Sequence, residues 1–288
     1  MNLSGRFRSF VIMNTFWLLF AINIQALFSD SAIAANSGVD NYIFGVFPHL
    51  PPRELEKVYA PIAALIGDAI GVKVHLRSSS SYTIFMQNLD EAVFDIVFVH
   101  PFDYIRIADH LGYIPIASRG EPLSAIIVVG TGSDITQMQQ LIGKKIALPP
   151  RVSAVSRLIT GHLQKNNIHP GDDLSISNHR SHVSCLQQVL IGAADACGTA
   201  APALRFFEHK MNVKMRTVSE TLSIPHTLFA AHPRIPTHQI SKIRSVILTL
   251  QHSEKGQKIM ARGQLLPYKK IQNQDYDIVR ELDKLTRH

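Results

Sequence analysis

The stretch FDIVFVHPFDYIRIA, residues 94–108, joins a predicted buried strand directly to a predicted helix. Its first six residues are almost all apolar β-formers, which is typical of a strand covered on both faces of a parallel sheet. His100 and Pro101 then end the strand, and Pro101 suits the first turn of a helix. A helix that begins at the carboxyl edge of a sheet offers unpaired N–H groups to a ligand. A purely structural strand-to-helix turn would have the same sequence.

Strands and helices alternate along the chain on both sides of this stretch. Before it, residues 42–47 predict a strand and residues 53–70 an amphipathic helix. After it, residues 125–129 form an apolar strand without a helix of their own, which indicates a crossover into a second unit. Residues 227–231 mirror that strand and bring the chain back, and the segment from Thr237 onward is predicted to be helical.

This order of elements predicts an α/β fold built from parallel sheets with helices on their faces. We expect two lobes, joined by two crossover strands, with a ligand cleft between them that closes by a hinge motion. The expected lobe 1 comprises residues 40–123 and 228–288, and the expected lobe 2 comprises residues 124–227.

The N-terminus has the pattern of a signal peptide. Arg6 and Arg8 precede an apolar run over residues 10–28, and Ala32-Ile33-Ala34 supplies the small-residue pattern of a cleavage site. We therefore expect residues 1–34 to be removed on export and the mature chain to be periplasmic. A retained N-terminal anchor is the alternative, because the apolar run is long for a signal peptide.

Composition and motifs argue against several functions. The 288 residues carry a formal net charge of +7, but no run of Lys or Arg suggests a nucleic-acid partner. A mild positive surplus is compatible with an anionic small ligand or with simple solubility. The common nucleophile, phosphate-loop, zinc-protease and dinucleotide motifs are absent from the sequence, so we expect neither catalysis nor a cofactor.

Two cysteines leave one structural question open. Cys185 in a predicted helix and Cys197 in the following strand reach similar height, so they form either a disulfide or two buried thiols. His179 and His182 lie on one side of that helix, but Cys185 falls on another face, so we do not expect a metal site there.

An ordered set of short motifs spans nearly the whole chain after residue 40. The motifs are Phe47-Pro48, Tyr59-Ala60-Pro61-Ile62, Ser81-Tyr82, Phe94-Asp95-Ile96-Val97-Phe98 with Pro101, Ile142-Gly143-Lys144-Lys145, Ser181-His182, Ala193-Ala194-Asp195-Ala196 and Asp275-Tyr276-Asp277. In this order and spacing they resemble the PhnD-like proteins, which are type II periplasmic binding proteins of phosphate, phosphite and phosphonate transporters. The resemblance implies the type II periplasmic binding protein fold.

The resemblance also implies which residues bind the ligand. In that family an oxyanion sits in the cleft at helix N-termini, held by hydroxyl and backbone N–H groups and framed by tyrosines. The matching positions in this chain are Tyr82, Ser153 and His182, followed by His100 and Tyr104. A helix N-terminus supplies unpaired donors and a partial positive charge, which suits an oxyanion.

The sequence departs from the family at two of these positions. Ser153-Ala154-Val155-Ser156 stands where the family has Ser-Thr-Ser-Gly, and His100 stands where the family has a small residue. Ser156 is one turn into the helix, and Arg151 offers a bidentate charge that compensates for the lost hydroxyl. Equally, these changes fit a pocket rebuilt for a larger or less charged ligand.

The function implied by the resemblance is a non-enzymatic solute-binding protein. Such a protein closes on a small anion of the phosphonate or phosphate type and delivers it to an inner-membrane ABC permease, and a monomer is expected. Two alternatives stay open at this point. One is a sensory module that presents its closed form to a membrane receptor, and the other is a binding protein with an apolar pocket for a lipid-like ligand.

Overall fold

Two separate mixed sheets organise the computed structural model, which describes residues 41–286. The predicted signal peptide, residues 1–34, lies outside the described residues. The six-stranded sheet has the order β11-β4-β10-β3-β1-β2. Its strands are β1 (Asn41–Val46), β2 (Lys73–Ser78), β3 (Ile96–Val99), β4 (Ile114–Arg119), β10 (Leu228–Ala231) and β11 (Tyr268–Lys270). We call this sheet and its helices lobe 1.

The five-stranded sheet forms the core of the second lobe, lobe 2, in the order β7-β6-β8-β5-β9. Its strands are β5 (Ile126–Gly130), β6 (Lys145–Leu148), β7 (Ser175–Asn178), β8 (Ala196–Thr199) and β9 (Met215–Glu220). In both sheets three neighbouring strands are parallel and the returning strands are antiparallel. The two-lobe α/β fold class predicted from the sequence is confirmed.

Helices pack on the faces of both sheets. Those of lobe 1 are α1 (Pro52–Ile70), α2 (Tyr82–Asp90), α3 (Pro101–Leu111), α7 (Thr237–Thr249) and α8 (Glu254–Gly263). The C-terminal helix α9 (Asp277–Thr286) lies beside α3 but packs mainly against the first helix of lobe 2. Those of lobe 2 are α4 (Ala154–Lys165), α5 (His182–Leu190) and α6 (Ala201–Met211). None of the helices within residues 41–286 is long and apolar enough to cross a membrane.

The sequence pattern missed two strands at the edges of these sheets. The segment after Thr237 was expected to be helical, but it contains β11, which pairs with the end of β4. β9 pairs with β5 along the edge of the second sheet and also went unpredicted. Both strands are largely polar and only partly buried, so they lack the apolar run by which a buried strand is recognised.

Corresponding aspartates start the central strands of the two lobes. The carboxylate of Asp95, just before β3, accepts a hydrogen bond of 2.7 Å from the Ile43 N–H of β1. The carboxylate of Asp195, just before β8, accepts one of 2.8 Å from the Lys145 N–H of β6. Each aspartate therefore fixes the register of two parallel strands, which is a structural role.

The two crossover segments run side by side between the lobes. The Leu123 N–H donates to the Ile224 carbonyl at 2.8 Å, and the Ile224 N–H donates back to Leu123 at 2.9 Å. Close by, the Thr221 hydroxyl oxygen accepts from the Ala125 N–H at 3.0 Å. A short antiparallel ribbon thus joins β4 to β5 and β9 to β10, which is a geometry suited to a hinge.

A disulfide joins Cys185 of α5 to Cys197 of β8, with Cα atoms 5.9 Å apart. Both residues are fully buried. The bridge is possible because Cys185 lies on the side of α5 that faces the sheet, where the gap is much narrower than the distance from the helix axis. Of the two alternatives left open by the sequence, the structure has the disulfide.

Candidate functional site

Arg157, in the first turns of α4, brings the two lobes into contact. It forms an ion pair with Asp283 of α9, and its guanidinium carbon lies 4.0 Å from the centre of the Phe102 ring in α3. The start of α4 in lobe 2 therefore lies against the start of α3 in lobe 1. Because each helix begins at the carboxyl edge of its sheet, these two edges form the walls of an interlobe cleft.

The wall from lobe 1 contains two of the predicted ligand residues, His100 and Tyr82. His100 precedes α3, and its ring lies 4.1 Å from that of Phe47 and 6.5 Å from that of Tyr82, measured between centroids. No side chain caps the first turn of α3, so its free N–H groups remain available. Burial lowers the pKa of His100 to about 3, with His49 and Arg157 adding to the effect. The ring is therefore neutral at physiological pH.

A buried carboxyl, Asp103, lies behind these rings and was not predicted from the sequence. The Tyr82 hydroxyl donates to Asp103 at 2.5 Å. Burial raises the pKa of Asp103 to about 6, although the hydrogen bond from Tyr82 and the charges of Arg157 and Arg106 lower it. Tyr82 is thus positioned by Asp103, and part of its hydrogen-bonding capacity is already used.

The Tyr104 side chain contacts the C-terminal part of the chain. It is fully buried, its hydroxyl donates to Asn273 at 2.9 Å, and its ring centre is 4.7 Å from that of Tyr276. These partners come from the C-terminal part of the chain, whose return to this site the sequence pattern did not reveal. A direct ligand role for Tyr104 stays a prediction and requires its hydroxyl to exchange Asn273 for the ligand.

The wall from lobe 2 begins with the predicted serines at the start of α4. The Ser153 oxygen accepts from the Ser156 N–H at 3.1 Å, which caps the helix, and Ser156 donates to the Pro149 carbonyl at 3.0 Å. Ser156 is buried, whereas Ser153 keeps partial exposure. Arg151 is exposed and lines a groove of about 600 Å³ with Ser156 and Arg157. The groove lies within lobe 2 and does not include Ser153, so a ligand role for these three residues stays a prediction.

His182 is the first residue of α5 and completes the second wall. Its Nδ1 lies 2.9 Å from the Thr199 hydroxyl at the end of β8, and burial lowers its pKa. Ser181 caps the same helix through a capping box with Ser184. The disulfide of Cys185, one turn further on, holds α5 to β8 and so fixes this corner.

Sequence reasoning missed a second group on the wall of lobe 1. Arg119 ends β4, and its N–H donates to the Thr227 carbonyl at 3.0 Å, next to His226. His49 follows β1, with its Nδ1 2.9 Å from the Phe47 carbonyl. Their positions at strand ends are a usable signal, but only the antiparallel insertion of β10 between β3 and β4 places them on one edge.

The chemistry of the two walls suits an anion better than a cation. Within residues 41–286 no group of three or more His, Cys, Asp or Glu side chains is placed to hold a metal ion. The walls instead present hydroxyls, neutral imidazoles, helix N-termini and arginines. Groups of these kinds donate hydrogen bonds to anions in proteins.

Solved structures with the same fold come from several bacteria. PhnD1 from Prochlorococcus marinus, solved with methylphosphonate, is 16% identical with a TM-score of 0.68, covering 85% of this chain and 97% of that one. XAC2383 from Xanthomonas citri, bound to ATP, is 14% identical with a TM-score of 0.71, covering 85% and 96%. PA3383 from Pseudomonas aeruginosa, a binding protein component of an ABC phosphonate transporter, is 15% identical with a TM-score of 0.66, covering 84% and 85%.

At such low sequence identity, structural likeness shows only a shared fold. A family model identifies the family. The model described as "ABC transporter, phosphonate, periplasmic substrate-binding protein" matches residues 44–276. The match confirms the resemblance inferred from the sequence, and it places the chain in a non-catalytic class, as predicted. The chain therefore belongs to the family of periplasmic substrate-binding proteins of phosphonate ABC transporters.

Proposed function

We propose that this chain binds a small oxyanion of the phosphonate or phosphate type in the interlobe cleft and delivers it to an inner-membrane ABC permease. In this proposal residues 1–34 act as a signal peptide and the mature chain works in the periplasm. The observation that carries the proposal is the meeting of the α3 and α4 starts across the cleft, marked by Arg157 over Phe102. Two helix N-termini that face one another give an oxyanion unpaired N–H groups from both sides.

The wall of lobe 2 supports this proposal through its hydroxyl groups. Ser153 caps the amino end of α4, Thr199 ends β8, and the His182 ring contacts Thr199. A hydroxyl that now bonds only to its own helix or to a neighbouring side chain is able to turn its proton toward an anion. Ser153 would then serve both as the cap of α4 and as a ligand donor.

The wall of lobe 1 supports an anion over an apolar ligand. His100 and Tyr82 present polar edges beside the uncapped start of α3. A lipid-like ligand would bury these groups, together with the partly exposed Ser153 and His182, without accepting the hydrogen bonds that they are still able to donate, which is unfavourable. A small anion satisfies them instead.

The test is a binding panel on the purified mature chain. We expect phosphate, phosphite, methylphosphonate or ethylphosphonate to bind saturably in isothermal titration calorimetry and to raise the melting temperature, because a ligand that binds only the folded state stabilises it. If none of these anions binds, the oxyanion proposal is wrong.

A pair of serine variants locates the site. Ser153→Ala should weaken binding about tenfold or more, because hydrogen bonds to charged groups are the stronger ones. Ser253→Ala is the matched control, since Ser253 caps α8 by the same bond, from the Gly256 N–H at 3.1 Å, at a helix that does not begin in the cleft. Equal affinities in the two variants would contradict a ligand role for Ser153.

A further inference from the structure

Arg119 differs from the other arginines of lobe 1 because its Nε is buried without a hydrogen-bond partner in the described part of the chain. None of the ion pairs found within residues 41–286 includes Arg119. The residue as a whole keeps partial solvent exposure. Buried donors in native proteins nearly always have a partner, so an unpaired guanidinium Nε beside a cleft indicates an absent acceptor.

Tyr268 is a second unpartnered donor beside Arg119. The residue is only 3% exposed, and its buried hydroxyl has no partner among the described residues. Tyr268 in β11 is the register partner of Arg119 in β4. Directly opposite residues of antiparallel strands point to the same face of the sheet, so the phenol and the guanidinium share one face.

His226 adds a third donor, and its tautomer follows from its contacts. The Thr227 N–H donates to Nδ1 of His226 at 2.7 Å, so Nδ1 is the acceptor and the proton of the neutral ring is on Nε2. The ring is neutral because burial, and then the charges of Arg119 and His100, lower its pKa to about 3. Nε2 has no partner within the described part of the chain.

His49 is not part of this donor group. Its Nδ1 lies 2.9 Å from the Phe47 carbonyl and its Nε2 lies 3.3 Å from the Tyr59 hydroxyl, so both ring nitrogens are used internally. The donor group therefore consists of three side chains that each have a donor atom without a partner among the described residues: Arg119, His226 and Tyr268.

This group is distinct in position from the helix start at His100. β4 and β3 are separated by β10 in the sheet. Two strand spacings amount to about 10 Å. With the phosphonyl group at the α3 start, as in the proposed function, a second acceptor group about this far along the ligand would meet Arg119 and His226.

We propose that Arg119, His226 and Tyr268 form a subsite for a carboxylate, and that the preferred solute is an organic phosphonate carrying a carboxyl group. The inference rests on the proposed function of the cleft as an oxyanion site and adds a second charged group to its ligand. A carboxylate matches the fork geometry of a guanidinium and accepts from the imidazole and phenol as well.

The test compares each carboxylated phosphonate with the alkylphosphonate of matched size. The pairs are phosphonoacetate with ethylphosphonate, and 3-phosphonopropionate with propylphosphonate, titrated calorimetrically into the mature chain; malonate and succinate are added as acids without phosphorus. We expect at least one carboxylated member to bind about 10- to 100-fold more tightly than its partner, as a charge-assisted bidentate bond provides.

Three variants test whether Arg119 is responsible for that preference. Arg119→Met should abolish it, while Arg119→Lys should retain part of it because the charge remains without the fork. Arg244→Met is the control for net charge and folding, since Arg244 bonds to the Pro115 and Ile116 carbonyls at the other end of β4. Far-ultraviolet circular dichroism verifies the fold of each variant.

The outcomes separate this inference from the proposed function. Equal binding of acids and alkylphosphonates, or equal loss of both in Arg119→Met, overturns the carboxylate subsite and leaves the oxyanion function standing. Arg119-dependent binding of malonate or succinate without binding of any phosphonate supports the carboxylate subsite, but it overturns both the phosphonate as preferred solute and the proposed phosphonate-type function. Absence of binding in both panels overturns both.

Discussion

The two walls of the cleft use their polar groups differently. In lobe 2, Ser153 and Ser181 cap α4 and α5, and His182 contacts Thr199, so most donors already have a protein partner. In lobe 1, α3 starts without a side-chain cap and Arg119 has an unpaired Nε. The helix starts of lobe 2 thus already have side-chain partners, whereas lobe 1 holds donors without a partner among the described residues.

This difference separates two roles that a binding cleft must fill. Preorganised hydroxyls reduce the entropy lost on binding, and unsatisfied donors supply the gain in interaction that closure requires. Lobe 2 is also fastened by the disulfide between α5 and β8, whereas the described part of lobe 1 contains no cysteine. The following changes test the contrast, from the largest expected effect to the smallest.

Removing the disulfide should weaken lobe 2 most. The double variant Cys185→Ala/Cys197→Ala opens a loop with a sequence separation of 12 residues. It should lower the free energy of unfolding by about 3 kcal/mol, through the added entropy of the unfolded chain. Urea unfolding followed by circular dichroism measures the loss.

Dithiothreitol provides the control for that experiment. Reductant should destabilise the wild-type chain and leave the double variant unchanged. If the wild-type chain is equally stable with and without reductant, the bridge contributes nothing to stability and lobe 2 is not fastened in the way described.

Asp103 should make the stability of lobe 1 depend on pH. Its pKa in the folded chain, about 6, is above the ordinary value of 3.8 because of burial. Between these values Asp103 binds more protons in the folded state than in the unfolded state, so its contribution to the free energy of unfolding falls as the pH rises from about 4 to about 6. The lowered pKa values of His100 and His226 act in the opposite direction, so the contribution of Asp103 is read from the difference between the wild-type chain and a variant at this position. The lost contribution is about 2–3 kcal/mol on the scale of 1.36 kcal/mol per pKa unit.

Asp103→Asn should remove this part of the pH dependence, as measured by urea unfolding from pH 4 to pH 7. Asp134→Asn, which changes an exposed carboxyl in lobe 2, is the control for net charge. A variant profile at Asp103 that is parallel to the wild-type profile would show that this carboxyl ionises normally.

Alanine substitutions at two strand glycines, one in each lobe, test how tightly the two cores are packed. A Cβ on Gly45 of β1 would lie 2.5 Å from Cγ of Phe94 and within 2.7 Å of two more ring atoms. A Cβ on Gly198 of β8 would lie 2.5 Å from Cδ2 of Leu148 and 2.9 Å from Ile159. Overpacking costs about 1–3 kcal/mol, and Gly45→Ala should be the more harmful because a rigid ring yields less than the end of a leucine.

Melting temperatures of the two variants check this order. Gly130→Ala is the control, since a Cβ there meets nothing within 4 Å. If Gly198→Ala lowers the melting temperature more than Gly45→Ala does, the core of lobe 2 accommodates an added methyl group less well than the core of lobe 1, contrary to this prediction.

Strong local patterns explain which parts of the fold were predictable. Residues 94–108 combine an apolar run with a proline at the helix start, and β3 and α3 follow that pattern closely. β9 and β11 lie at sheet edges, where a strand gains its stability from pairing and does not need an apolar sequence. A pattern search has no means of finding such strands.

The residues of the candidate site also differ in whether the sequence could predict them. His100, Ser153 and His182 stand at helix starts, so a local motif identified them as neighbours of the cleft. Asp103 and Arg119 lack a motif, because what distinguishes them is burial and the presence or absence of a partner. Those properties arise only when distant segments pack together.

The sequence by itself determined the alternation of strands and helices, the two-lobe α/β fold and the family. The elements follow from hydrophobic periodicity and turn residues, which act over a few neighbouring positions, and the family follows from the resemblance of the ordered motifs. Only the tertiary structure decided that Cys185 and Cys197 are joined, that Tyr104 bonds to Asn273, and that Arg119 has an unpaired Nε. Each of these depends on the distance between segments far apart in the chain, which is fixed by the packing of whole elements.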